Sequence, residues 1–112
     1  MKQEIFYKNK RREIEVKRCG LFGRVRGLMF CRRENAPALL LFDFKKPRSF
    51  TIHSFFCPVF LAVWLDEKNK VIEKRIVQLW QASIAPKRKF SKLVEIPINV
   101  QNRWILKFLD GD

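Results

Sequence analysis

Val59-Phe60-Leu61-Ala62-Val63-Trp64-Leu65, Asp66-Glu67-Lys68-Asn69-Lys70 and Val71-Ile72-Glu73-Lys74-Arg75-Ile76-Val77 follow one another without interruption. The first run is apolar throughout and reads as a strongly apolar strand. The middle five residues are polar, and Asn69 is suited to the left-handed conformation that a tight turn demands. The last run is rich in β-branched residues. Residues 57–78 therefore predict a β-hairpin, and a domain built outward from it is mainly β.

The flanking segments extend that reading. Ala38-Leu39-Leu40-Leu41-Phe42-Asp43-Phe44 is a second continuous apolar run, bounded by Pro37 and Lys45, too short for an ordinary helix and expected as a central strand buried on both sides. After a turn at Lys46-Pro47, Phe50 and Ile52 alternate with Thr51 and His53 from Ser49 to Ser54. Toward the N-terminus, Ile14 and Val16 alternate with Glu13, Glu15 and Lys17, which predicts a half-buried strand over Arg12 to Arg18. Glu4 to Tyr7 forms its hairpin partner across a turn at Lys8 to Arg11. Leu21, Phe22, Val25, Leu28 and Met29 fall at helical spacing and predict one short helix near residues 21–28, which Gly27 ends. Leu79 to Phe90 holds Trp80 and Pro86 with no sustained period, so it is expected as an irregular connection. Lys92 to Ile98 is expected as a strand, Asn99 to Asn102 as a turn or single helical turn, and Trp104 to Leu109 as a closing strand. The predicted fold is a small closed barrel or compact β-sandwich of about seven to eight mostly antiparallel strands with one short helix, since closure is the simplest way to manage exposed edges.

Its 112 residues fit one domain spanning residues 1–112, and an apolar content of 47% with eleven Phe and three Trp supplies a core for it. Against this stands a formal charge of +13. Residues 1–33 carry eleven Lys and Arg against three Glu, more than half of the surplus, and Lys87-Arg88-Lys89 with Lys92 forms a second knot. Such a field attracts polyanions by counterion release, without sequence specificity. It serves equally as a solvated face.

Cys19, Cys31 and Cys57 are odd in number and widely spaced, so disulfides are not expected. Joined on paper with His53 they make a Cys₃His set, but the close pairs of structural zinc sites are missing and no metal site is assigned. The chain starts with alternating charges in place of an apolar export segment, and Phe55 to Leu65 is too short to span a bilayer and contains Pro58. A cytoplasmic protein is expected. Neither G-x-G-x-x-G nor Walker A spacing occurs, and no nucleophile, base and orienting group stand at a recognisable spacing, so no catalytic residue and no cofactor are assigned. His53 is the single histidine. Trp80, near Lys87-Arg88-Lys89, offers a ring to stack on a base while the cations hold phosphates, or a plug for the barrel end. Arg48 and Glu95 are candidates for an internal ion pair or for a pocket shared with His53.

Several segments carry a family resemblance when taken in order: Gly27-Leu28-Met29-Phe30, Leu39-Leu40-Leu41-Phe42, Pro47-Arg48-Ser49-Phe50, Trp64-Leu65-Asp66, Lys70-Val71-Ile72-Glu73, Ala85-Pro86-Lys87, Val94-Glu95-Ile96-Pro97 and Asp110-Gly111-Asp112. Over about residues 19–112 the chain resembles the domain of unknown function 192, a small mostly β domain; the basic strand and turn of residues 1–18 lie outside the likeness. Ile52-His53 followed by Phe55-Phe56 is similar to the archaeal variant of one family block. The resemblance implies a fold and brings no established reaction. On these grounds the expected function is non-enzymatic binding of nucleic acid or another polyanion through Arg11, Arg12, Lys17, Arg18, Arg24, Arg26, Lys87, Arg88 and Lys89, with Trp80. The alternative is a small-molecule-binding or enzymatic barrel with a pocket at Arg48, His53 and Trp80, with Glu95 nearby.

Overall fold

A computed structural model describes residues 2–18, 38–49, 59–78, 84–100 and 102–109. Six strands and one helix occur among them: β1 (Lys2–Tyr7), β2 (Lys10–Arg18), β3 (Ala38–Arg48), β4 (Phe60–Leu65), β5 (Val71–Val77), β6 (Phe90–Pro97) and α1 (Arg103–Leu109). The strands form one sheet in the order β1-β2-β3-β6-β4-β5. All neighbours are antiparallel except β2 and β3, where Val16, Lys17 and Arg18 run parallel to Ala38, Leu39 and Leu40. The fold is thus mainly β, as the sequence predicts.

Two turns set the hairpin registers. Lys8 and Asn9 have φ of 50° and 65°, so the β1–β2 turn places two residues in the left-handed region, and Tyr7 lies opposite Lys10. In the β4–β5 turn Asn69 has φ 66°, the conformation anticipated for it. Asp66 organises this turn from both ends: its Oδ1 accepts from the backbone N–H groups of Lys68 and Lys70 at 2.8 and 2.9 Å.

The same turn brings the two edge strands together. The Phe6 N–H donates to the Asn69 carbonyl at 2.9 Å, making a bridge between Phe6 and Lys70 that ties β1 to the start of β5. The side-chain oxygen of Asn69 accepts from the buried Gln3 amide at 3.1 Å and from the Lys92 ammonium of β6. The sheet curls into a half-barrel, drawn together at this end by one asparagine.

Both faces of the sheet are apolar. Along β4 every residue is buried, with Phe60, Ala62 and Trp64 on one face and Leu61, Val63 and Leu65 on the other, as expected of a continuous apolar run. β3 behaves alike, sending Leu39 to the first face and Ala38 and Leu40 to the second. The first cluster is built around Trp64, Phe60 and Phe90, the second around aliphatic residues and the buried side of α1, Ile105 and Leu109.

Three expectations need correction. Trp104 to Leu109, read as a closing strand, is the helix α1. The buried pair Ile105 and Leu109 has the i, i+4 spacing of one helical face, and the Asn102 carbonyl accepts from Ile105 and Leu106, both at 3.0 Å, to start the helix. The Asn102 amide is itself fixed by donating to the Pro97 carbonyl at 2.9 Å. Lys46-Pro47, read as a turn, lies within β3, where the β3–β6 ladder shifts register between Asp43 and Arg48; a proline is tolerated at such an interruption because no ladder N–H is required. The last long strand starts at Phe90, two residues before the predicted Lys92. The helix expected near residues 21–28 lies outside the described residues, as does residue 53.

Candidate anion-binding surface

Alternation along β5 decides what this edge strand offers. Lys74 and Ile76 pair with Val63 and Leu61 of β4 and share their face, whereas Glu73, Arg75 and Val77 pair with Trp64, Ala62 and Phe60. α1 lies against the Lys74 side. The Lys74 ammonium donates to the Leu109 carbonyl at the end of α1, supplying a cation where the helix carbonyls lack partners. It also sits 4.9 Å from the centre of the Tyr7 ring, which meets Phe108 edge-on at 6.2 Å. Arg12 lies 5.5 Å over Phe108, and Lys8 5.5 Å over Tyr7. α1 is thereby clamped between β1–β2 and β5 by aromatic and cationic side chains.

Between β5 and α1 runs an open groove of about 570 Å³. Leu61, Ile76, Ile98, Leu106 and Leu109 supply its aliphatic surface, and Lys74, Arg75, Arg103 and Lys107 its charge; none of the lining residues is acidic. Arg103 and Lys107, one helical turn apart, are exposed, and Trp104 between them is 50% exposed.

A second set of contacts joins this groove to the basic knot. Arg75 ion-pairs with Glu73 and donates to the Ala85 carbonyl at 3.2 Å, while Glu73 accepts from the Lys87 N–H at 3.0 Å. Residues 85–87 are thus fastened to β5, and Lys87, Arg88 and Lys89 stand exposed beside it. The exposed cations therefore stand in two groups, the knot beside β5 on its Arg75 side and Arg103 with Lys107 on α1, while Arg75 is paired with Glu73 and Lys74 with the Leu109 carbonyl between them.

The expected site residues distribute unevenly over this geometry. Arg12 adjoins α1 through Phe108, and Lys17 is exposed on β2. Arg18 ends β2. Arg11 is held by Glu4 and Glu13, the latter at 2.9 Å. Its hydrogen bond keeps the Glu4 carboxyl below the usual carboxylate range, and Glu4 in turn raises Arg11. Arg11 is consequently a paired cation. Arg24, Arg26, His53 and Trp80 lie outside the described residues. Arg48 is exposed, 5.2 Å over the Phe44 ring. It and Glu95 stand at opposite ends of the β3–β6 ladder, opposite Phe90 and Leu39 respectively, so they form no ion pair.

Glu95 lies in the central strand between Leu39 and Ala62, only 4% exposed, on the face of the aromatic cluster. Burial pushes its carboxyl up to about 8. Among the described residues no group of His, Cys, Asp and Glu is arranged to hold a metal ion, and no helix is long and apolar enough to cross a membrane.

Sequence reasoning passed over Lys74, Arg75, Arg103 and Lys107, and took Trp104 for a core aromatic of the closing strand, where it is half exposed on α1. A signal for the three on α1 was present: Asn102 ahead of Arg103 and Lys107 at i, i+4 spacing, with Trp104 and Phe108 at the same interval, is a capped helix carrying a basic and aromatic face. No family profile, no curated protein and no solved structure matches this chain, so its likeness to the domain of unknown function 192 rests on the quoted segments alone.

Proposed function

We propose that the chain is a non-enzymatic binding domain of the unknown-function 192 type that holds single-stranded nucleic acid across the β5–α1 side of the half-barrel. The observation that carries this reading is the pair of exposed cations Arg103 and Lys107 on α1, with Trp104 exposed next to Arg103 on the same helix and the Lys87-Arg88-Lys89 knot exposed along β5. Cations spaced along a surface neutralise successive phosphates, and an exposed indole beside them stacks on an unpaired base; a duplex keeps its base faces covered. The +13 charge draws polyanions to the molecule from any direction, and the surface described gives them one place to settle.

Fluorescence anisotropy of labelled single- and double-stranded RNA and DNA tests the proposal, titrated at several salt concentrations with nuclease-treated protein. Binding that persists near physiological salt and favours a single strand is the expected result. Charge-neutral variants at Arg103, Lys107 and the 87–89 knot weaken it and flatten its salt slope. Equal affinity for all four probes, or variants that leave the slope unchanged, would sink the assignment.

A further inference from the structure

The phosphate-binding reading uses the rim of the β5–α1 groove and leaves its floor unexplained. That floor is made by Leu61, Ile76, Ile98, Leu106 and Leu109, all aliphatic. The carbonyl at its helical end, that of Leu109, is already taken by Lys74. On those five side chains a sugar or base edge finds no hydrogen-bond partner, the polar groups being the cations of the rim, whereas an alkyl chain needs none. At about 570 Å³ the groove lies in the size range of small-molecule sites. Ile76 is 54% exposed at its mouth, an apolar side chain on a charged edge strand where a polar one would cost nothing. The rim adds a direction: Arg103 and Lys107 are exposed on one wall, and no acidic residue lines the groove.

We propose that the groove between β5 and α1 is a binding site for a single-chain amphiphile with an anionic headgroup, such as a medium-chain carboxylate. The alkyl chain lies on Leu61, Ile76, Ile98, Leu106 and Leu109, and the headgroup meets Arg103 and Lys107. A second copy of this chain is a poor occupant, since it brings the same +13 charge to a basic rim. The headgroup shares Arg103 and Lys107 with the proposed nucleic-acid surface, so the two readings are told apart by the floor, which only the alkyl chain uses.

Decanoate, kept below its micelle concentration, is titrated into the full chain while the Leu and Ile methyl groups are followed by NMR. Octanoate and dodecanoate complete a length series, and decyltrimethylammonium supplies the opposite charge on the same tail. The expected result is saturable shifts confined to the five floor residues, affinity rising about tenfold per two methylenes, and binding of the cationic amphiphile at least about tenfold weaker, as opposed to equal, because a charge-assisted contact is lost. Ile76→Glu, at an exposed position that the fold tolerates, removes decanoate binding. Ile76→Gln weakens it severalfold and leaves single-stranded RNA affinity within about twofold, since the change touches no cation. Shifts that fail to saturate, that fall elsewhere, or that are the same for both headgroup charges would overturn the proposal. So would binding to anionic phospholipid vesicles with no response to free decanoate, or concentration-dependent self-association that broadens the same methyls without added amphiphile.

Discussion

The two faces of the sheet take their side chains from the same strands, β4 and β6 contributing alternately to each, yet they handle charge in opposite ways. On the α1 face the core is aliphatic, and cations stand at its border in water: Arg103 and Lys107 are exposed while Ile105 and Leu109 beside them are buried. On the other face the core is aromatic, and an ionisable group lies within it, Glu95 between Leu39 and Ala62. Charge at a border is fully solvated and free to meet a ligand, so it costs the fold little and serves binding. Charge inside an apolar cluster must be neutralised or it opposes folding, so its effect appears in stability and in pH dependence.

Core truncation makes the sharpest separation between the faces. Trp64 is 0% exposed and the largest buried side chain among the described residues, so Trp64→Ala is expected to lower stability by about 3–5 kcal/mol. Leu109→Ala, at the end of α1 on the aliphatic face, is expected to cost about 2–3 kcal/mol, because the last helical turn relaxes into part of the space. Urea unfolding with unchanged m-values checks both. If the leucine proved the costlier loss, the aromatic cluster would not be the principal anchor of the sheet.

Glu95 supplies the next largest effect. Its carboxyl is raised from 4.5 to about 8 in the folded chain, so the native state holds a proton that the unfolded chain has released anywhere in between. Stability associated with this group is fully present below 4.5, declines as pH rises, and levels off above about 8. The decline is at most ~1.4 kcal/mol per pH unit. Glu95→Gln keeps the shape without the ionisation, and it is expected to remove this slope and to exceed the parent in stability by a few kcal/mol, about, at pH 8. Thermal unfolding across pH 4–8.5 measures it. Glu4 acts with the opposite sign: the Arg11 hydrogen bond lowers its carboxyl, so what it contributes is present above 4.5 and fades as pH falls. An unchanged slope in the Gln variant would mean that the two faces do not differ in the way described.

These two faces were also unequally legible in the sequence. The apolar runs at Leu39 to Phe42 and Phe60 to Leu65 could be read as strands, the first of them as doubly buried, because continuous apolar sequence leaves no solvent-facing positions. Asn69 could be read as left-handed because few other residues accept that φ cheaply. The pairing order could not be read: β6, late in the chain, inserts between β3 and β4, and only long-range packing decides that. Hence Glu95, expected near Arg48, is instead enclosed by Leu39 and Ala62, and no local pattern announces it. On the binding face, seven residues with five apolar ones fit strand and helix alike, and the helix is started by hydrogen bonds from Ile105 and Leu106 to the carbonyl of Asn102, a residue anchored to Pro97 by its side chain. The groove depends on that outcome, since a strand at the same place would not set Arg103 and Lys107 one turn apart.

A smaller effect tests the border cations. Replacing Arg103 and Lys107 together by Ala removes two exposed charges without opening a cavity, and each is expected to leave stability within about 0.5 kcal/mol of the parent. If both contact phosphates, the salt slope of single-stranded RNA binding falls by about 1.4, at ~0.7 per phosphate. Lys17→Ala on β2, away from α1, is expected to move the slope by less than half of one such contact.

Trp104 gives the closest comparison, because it is the same residue type as Trp64 on the opposite face. It is 50% exposed where Trp64 is 0% exposed, so much of its ring has already remained in water and little burial is lost on truncation. Trp104→Ala is therefore expected to shift unfolding by no more than ~0.5–1 kcal/mol. Its loss in binding should be larger than its loss in folding: removal of one stacked base costs about 1–3 kcal/mol, or roughly fivefold to a hundredfold in affinity for a single strand. A stability loss rivalling that of Trp64→Ala would make Trp104 a packing residue. Unaltered affinity alongside unaltered stability would leave the basic surface as a purely electrostatic one, holding phosphates without reading the faces of the bases.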